Sequence, residues 1–87
     1  MKIQMFAVYD VKAAMYHTPY FAVNVAVGAR IFRGACINQQ TTLAANPEDF
    51  NLFHIGSFDD QSGAVEGKPE FIINGAAVVQ VQTTQEQ

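Results

Sequence analysis

Asn46-Pro47-Glu48-Asp49-Phe50-Asn51-Leu52-Phe53-His54-Ile55-Gly56-Ser57-Phe58-Asp59-Asp60 is the stretch on which the reading of this 87-residue chain turns. Asn46-Pro47 signals a helical turn. The missing N–H of Pro47 costs nothing at a first helical position, and Glu48 and Asp49 suit the positive end of such a turn. The dense apolar run that follows predicts a strand over 51–58, in which Leu52, His54, Gly56 and Phe58 alternate with Phe53, Ile55 and Ser57. Asp59-Asp60-Gln61-Ser62-Gly63 then gathers turn formers, so a hairpin returns the chain as a short strand over 64–66. Of the apolar residues, Phe32, Phe53 and Ile55 are expected to be largely buried, with Phe32 on a helix facing the sheet.

Upstream, Lys2 to Tyr9 carries no breaker. Ile3, Met5, Ala7 and Tyr9 fall on one face and Lys2, Gln4, Phe6 and Val8 on the other. Both faces are largely apolar, which predicts a central strand covered on both sides or at a subunit contact. One helical turn is expected over 12–16 with Asp10 as its cap, broken by Pro19. The spacing of Val25, Ala29, Phe32 and Cys36 predicts the main helix, capped by Asn24 and fading near Asn38. Gly28 within it costs roughly 1 kcal/mol against alanine and suggests a close backbone approach. Ala26, Arg30, Arg33 and Ile37 form a neighbouring stripe with two cations one turn apart. Residues 39–45 read as a loop. Downstream, Glu70 to Ile73 is a short apolar run closed by the turn signal Asn74-Gly75. Valine-rich 76–82 reads as an edge strand, and 83–87 as a frayed polar end.

Several pieces of this pattern carry a resemblance. Phe6-Ala7-Val8-Tyr9-Asp10-x-Lys12-Ala13, Pro19-Tyr20-Phe21, Ala29-Arg30-x-Phe32, Pro47-Glu48-Asp49-Phe50, and Leu52-Phe53-x-Ile55-Gly56-x-Phe58-Asp59-Asp60 with a following glycine stand in this order. Over about residues 5–63 the chain resembles the small nonstructural protein of gokushovirus-type microviruses, small phages with single-stranded DNA. The resemblance implies a role in viral single-stranded DNA synthesis or DNA binding.

Composition bounds what the chain can be. With 49% hydrophobic and 15% charged residues, it has the balance of a folded core rather than of disorder. We expect a single domain over 1–87, with self-association as an outlet for apolar surface. No segment approaches about 18 uninterrupted apolar residues, so no membrane helix is expected. Neither is a signal peptide, and the lone Cys36 forms no internal disulfide; both point to a soluble protein of the host cytoplasm. The net charge of −3 opposes non-specific attraction to phosphate.

The candidate chemistry is sparse. His17, His54 and Cys36 show no ligand spacing, so no metal site is expected. Cys36 lies on the apolar helical face without a flanking cation, as a core thiol does. Asp59 and Asp60 are turn residues whose side chains point apart. No glycine stands in a phosphate-loop context. No catalytic residue, cofactor or enzymatic activity is therefore expected. Binding of single-stranded nucleic acid needs cations for phosphates and rings for bases. The residues that combine both are Lys12, Tyr16, Tyr20, Arg30 and Arg33, where an aromatic loop leads into the helix with both arginines. The opposing reading makes the rings core and the arginines a solvated face.

The resulting expectation is an α+β fold, a small and mainly antiparallel sheet packed on one principal helix. We expect it to form a homodimer through 2–9 and the tail strand. Its function is expected to be that of an accessory protein of phage DNA replication, touching single-stranded DNA or the replication complex. The alternative is an assembly protein that contacts viral replication, capsid or host protein and binds no DNA.

Overall fold

The computed structural model describes residues 1–86, with side chains described through Gln80. Two long strands form its centre, β1 (Lys2–Asp10) and β4 (Phe50–Asp59), paired antiparallel along their whole length. Short strands flank them: β2 (Met15–Tyr16) and β3 (Tyr20–Ala22) on β1, β5 (Val65–Glu66) and β6 (Glu70–Asn74) on β4. The sheet has six strands, and every pairing is antiparallel. Three helices join it: α1 (Val25–Ile37), α2 (Thr42–Ala45) and α3 (Gly75–Glu86). Pro47–Asp49 forms the expected turn, a 3-10 helix, directly before β4. The architecture is α+β, with one main helix against the sheet.

Register decides which residues meet the helices. Val8 stands opposite Leu52, Asp10 opposite Phe50, and Phe6 opposite His54. With a side-chain period of two, Phe6, Val8, Phe50 and Leu52 share the face that packs on Phe32 and Cys36 of α1, Leu43 of α2 and Val78 of α3. Phe6, Leu52, Phe32 and Cys36 are the most completely enclosed of these side chains. Phe53 and Ile55 are therefore not the core residues expected of them. Phe53 lies opposite Ala7 on the other face, and both Phe53 and Ile55 are half-buried. Phe50 and Leu52 take the places facing the helices. A shift of one residue exchanges the two faces of a strand, and here the pairing with Val8 fixes the choice.

A bulge between Met5 and Phe6 leaves Ile55 as the extra residue of β4. Beside it, Gly56 has φ +154°, and a Cβ there would strike the carbonyl oxygen of Glu66. Only glycine lets β5 approach at this point.

Two local expectations change. Asp10 caps the turn as expected, its carboxylate accepting the N–H groups of Lys12 and Ala13 at 3.0 and 3.2 Å, but the turn spans only residues 11–14, because Met15 and Tyr16 leave it to pair with β1 as β2. Residues 39–45 include α2, capped by the Thr41 hydroxyl, which accepts the Ala44 N–H at 3.2 Å.

The larger correction is the tail. Residues 76–82 belong to α3 rather than to an edge strand. Asn74 accepts the Ala76 N–H at 2.8 Å, and its amide donates to Asn51 Oδ1 at 2.7 Å and to the Glu48 carbonyl at 3.1 Å. One side chain thus ends β6, starts the helix and ties both to β4, and burial of Val78 rewards the helical course over valine's strand preference. The expected frayed end, 83–87, lies outside the residues whose side chains are described.

The two glycines of α1 give a paired test. A Cβ at Gly28 would lie 2.5 Å from the Phe6 ring, whereas one at Gly34 would meet nothing within 4 Å. Gly34→Ala should gain roughly 0.5–1 kcal/mol from helix propensity, a rise of about 4–8 °C in Tm per kcal/mol in a domain of this size. Gly28→Ala should instead lower stability by about 1–3 kcal/mol through overpacking. Thermal melts of the two variants check the sign; a Gly28→Ala protein that melts higher than wild type would refute this packing of α1 on Phe6.

Candidate nucleic-acid interface

The cationic side of the candidate site is set by α1. The Asn24 side chain caps the helix by accepting the Val27 N–H at 2.8 Å. Gly28, Ala29, Phe32 and Cys36 face the sheet. The helical repeat then turns Arg30 and Arg33 to solvent, three residues apart and so adjacent on the outer surface. No acidic residue lies in α1. Among the described residues the ion pairs join the Met1 ammonium to Asp60 and Lys2 to Glu66, and the His17 imidazole comes within 4.0 Å of the Asp10 carboxylate. Arg30, Arg33 and Lys12 take no part in them. Lys12 is exposed in the turn between β1 and β2.

The aromatic members of the set are divided between the faces of the sheet. Tyr20 stacks on Phe6 at 5.6 Å between ring centroids, and its hydroxyl donates to the Gly28 carbonyl at 2.7 Å. Burial, with a smaller contribution from Cys36 nearby, pushes its phenol up to about 12. Both the ring and the hydroxyl of Tyr20 are thus occupied in joining β3 to α1. Tyr16 lies on the opposite face, edge-on to Tyr9 at 4.8 Å and to Phe53 at 5.5 Å. The fold brings Arg30 and Arg33 together and places Tyr16 across the sheet from them.

What the set omitted is the rest of that opposite face. Phe53 meets Phe71 at 6.0 Å, and Phe21 meets Phe58 at 6.3 Å. On the same face as Ala7 and Tyr16 opens an apolar groove of about 300 Å³ lined by Ala7, Tyr16, His17, Pro19, Ile55 and Pro69. Its sequence signal was the odd-numbered apolar series of β1, which has no helix to cover it.

Residues 3–78 match the sequence model of the family described as Phage ORF5 protein. The chain belongs to that family. It is a bacteriophage protein. No curated protein and no solved structure matches it. The matched span holds all of Lys12, Tyr16, Tyr20, Arg30 and Arg33, with β4 and all of β1 but Lys2.

Elsewhere a polar cleft of about 290 Å³ lies between Gln4, His54, Ser57, Glu66, Lys68 and Glu70. His54 Nε2 and Gln4 Oε1 are 2.8 Å apart, which spends two of its polar groups on each other. Among the described residues no group of three His, Cys, Asp or Glu side chains converges as a metal site would require. Asp59 accepts the Gln61 and Ser62 N–H groups at 2.9 and 3.4 Å, and these bonds hold its carboxyl below the usual range. It acts as a turn residue. The Cys36 thiol is enclosed under α1, and burial raises it from its ordinary 9.0 to about 11.

The two buried groups make stability sensitive to alkali. Both keep their protons more firmly folded than unfolded, so their contribution is complete below the unfolded values, 9.0 for Cys36 and 10.0 for Tyr20. It is lost as pH rises through the folded values of about 11 and about 12. Urea midpoints followed from neutral pH upward should hold level with respect to these groups and then fall above pH 9.0. Cys36→Ala should flatten the first part of that fall. An equally steep decline in the variant would exclude the thiol as its source.

Proposed function

We propose that this chain is a non-enzymatic accessory protein of phage single-stranded DNA replication, acting in the host cytoplasm and touching single-stranded DNA through Arg30 and Arg33, with Lys12 as a further contact. The observation that carries this reading is the cation pair on α1, exposed, one turn apart and, among the described residues, without a carboxylate partner in a chain with eight acidic residues. Guanidinium groups left unpaired in an acidic protein are free to take phosphate oxygens. The resemblance to small nonstructural proteins of gokushovirus-type microviruses supports the replication setting. Tyr20 enters as a support of the helix rather than as a platform for bases, since its ring is stacked on Phe6.

A second reading draws on the net charge of −3, which weakens any attraction to a polyanion. In it the same two arginines receive an acidic segment of a viral or host protein, and the chain is an assembly factor.

Fluorescence anisotropy with a single-stranded oligonucleotide, titrated across salt, separates the two. Binding should be modest and should weaken steeply with salt. Each phosphate neutralised contributes about 0.7 to the slope of log K against log salt for single strands, so Arg30→Ala with Arg33→Ala should flatten the slope by about 1.4 per protomer. Both positions are exposed, so the fold should persist, as circular dichroism would confirm. An unchanged slope would remove the arginines from the site. Absence of binding by the wild type at low salt would leave the assembly reading.

A further inference from the structure

We infer that the open face of the sheet, opposite the helices, is covered by a second copy of this chain. The register assigns to this face Ile3, Met5 and Tyr9 of β1, Phe53 and Phe58 of β4, and the strands beside them contribute Tyr16, Phe21, Val65 and Phe71. Their exposure is high for such side chains: Phe71 is 58% exposed, Phe21 52% and Tyr16 43%. α1, α2 and α3 all contribute to the single core on the other face, so none of them shields these rings.

The charges decide the occupant. Lys2, Asp10, Asp59, Glu66 and Glu70 stand at register positions of the helix side, and no strand position on the open face carries a charged residue. A polyanion would find no cation at the strand positions of this face, although phosphate neutralisation supplies most of nucleic-acid affinity. A second copy meets neither obstacle. The chain is acidic overall, but this face opposes apolar side chains to apolar side chains across a two-fold axis and brings no like charges together.

The area also fits. A strand of ten residues is about 33 Å long and four strands abreast span about 19 Å. That is roughly 600 Å² before side-chain relief is counted, near the 800 Å² or so per partner of a standard specific interface. Two such sheets would stack about 10 Å apart, with the ring groups of each copy flanking the apolar groove of the other. The contact is independent of the arginines, which lie on the outer side of the helical layer. It uses β1 as the sequence suggested, but not the tail, which forms a helix and offers no strand edge.

Sedimentation equilibrium of the full chain at micromolar concentration tests this. The wild type should show twice its 9.5 kDa mass. Phe71→Glu places a charge on each side of the interface and should raise the dimer dissociation constant by about 100-fold or more. Because Phe71 is exposed in the single chain, its variant should keep the wild-type circular dichroism; Tyr16→Glu is the independent second variant, with the same expected loss. Arg30→Ala with Arg33→Ala should remain dimeric, which keeps this result separate from the DNA titration. A wild type that stays at monomer mass overturns the inference, as do Phe71→Glu and Tyr16→Glu proteins that dimerise like wild type. A monomeric wild type whose oligonucleotide binding is lost in Phe71→Glu would assign the face to bases instead.

Discussion

The pairing of β1 with β4 is the interaction on which the rest of this structure depends. It joins residues 2–10 to residues 50–59, so the chain closes a long loop before the first contact forms. Once Val8 stands opposite Leu52, everything else is assigned. Phe6, Val8, Phe50 and Leu52 point to the helices, and Ile3, Met5, Tyr9 and Phe53 point away. The Phe6 ring then demands a helix with no side chain at the point of contact, and Gly28 supplies it. Tyr20 completes the arrangement by stacking on Phe6 and donating to the Gly28 carbonyl. A strand residue, a helix residue and a ring between them thus fix the helical layer at one place on the sheet.

Elements whose signals are local were legible in the sequence. Asn24 as a cap, the spacing that ends in Cys36, Pro47 opening a turn and Asp59–Gly63 closing a hairpin each depend on a few neighbouring residues. All four stand in the structure as read. The face of β4 was not legible, because Leu52 and Phe53 are both apolar and alternation alone leaves either one inward. Only the distant partner strand chooses between them. The tail failed for a related reason. Ala76–Gln82 is rich in valine, and its strand preference is overridden by an Asn74 cap and a burial site for Val78 that only the assembled sheet provides.

The candidate site was half legible. Arg30 and Arg33 follow from helical spacing, and the structure leaves both exposed, with no carboxylate partner among the described residues. The tyrosines were beyond reach because Tyr16 and Tyr20 are close in sequence but belong to strands that present them to opposite faces. Tyr20 pairs with Phe6, an even position of β1, and Tyr16 with Tyr9, an odd one. Nearness in sequence suggested one patch where the pleat produces two.

This separation has a physical origin in how the helices are distributed over the sheet. A strand that is apolar on both sides calls for two covering layers. Among the described residues there are three helices, of which α2 is a single turn, and the core gathers all three on one side. Arg30 and Arg33 therefore lie outside the helical layer, and the exposed rings of Tyr16, Phe21 and Phe71 lie on the other side of the sheet. A chain with five lysines and arginines cannot line both surfaces with charge, so the two surfaces divide their chemistry. Arg30 and Arg33 give the helical side its exposed guanidinium groups, and apolar side chains make up most of the sheet side. Joining two copies through the sheets would turn both arginine pairs outward, on opposite sides of one particle. Each pair would then face solvent without opposing the other, and a polyanion that reached both would have to wrap around the dimer rather than cross a single face.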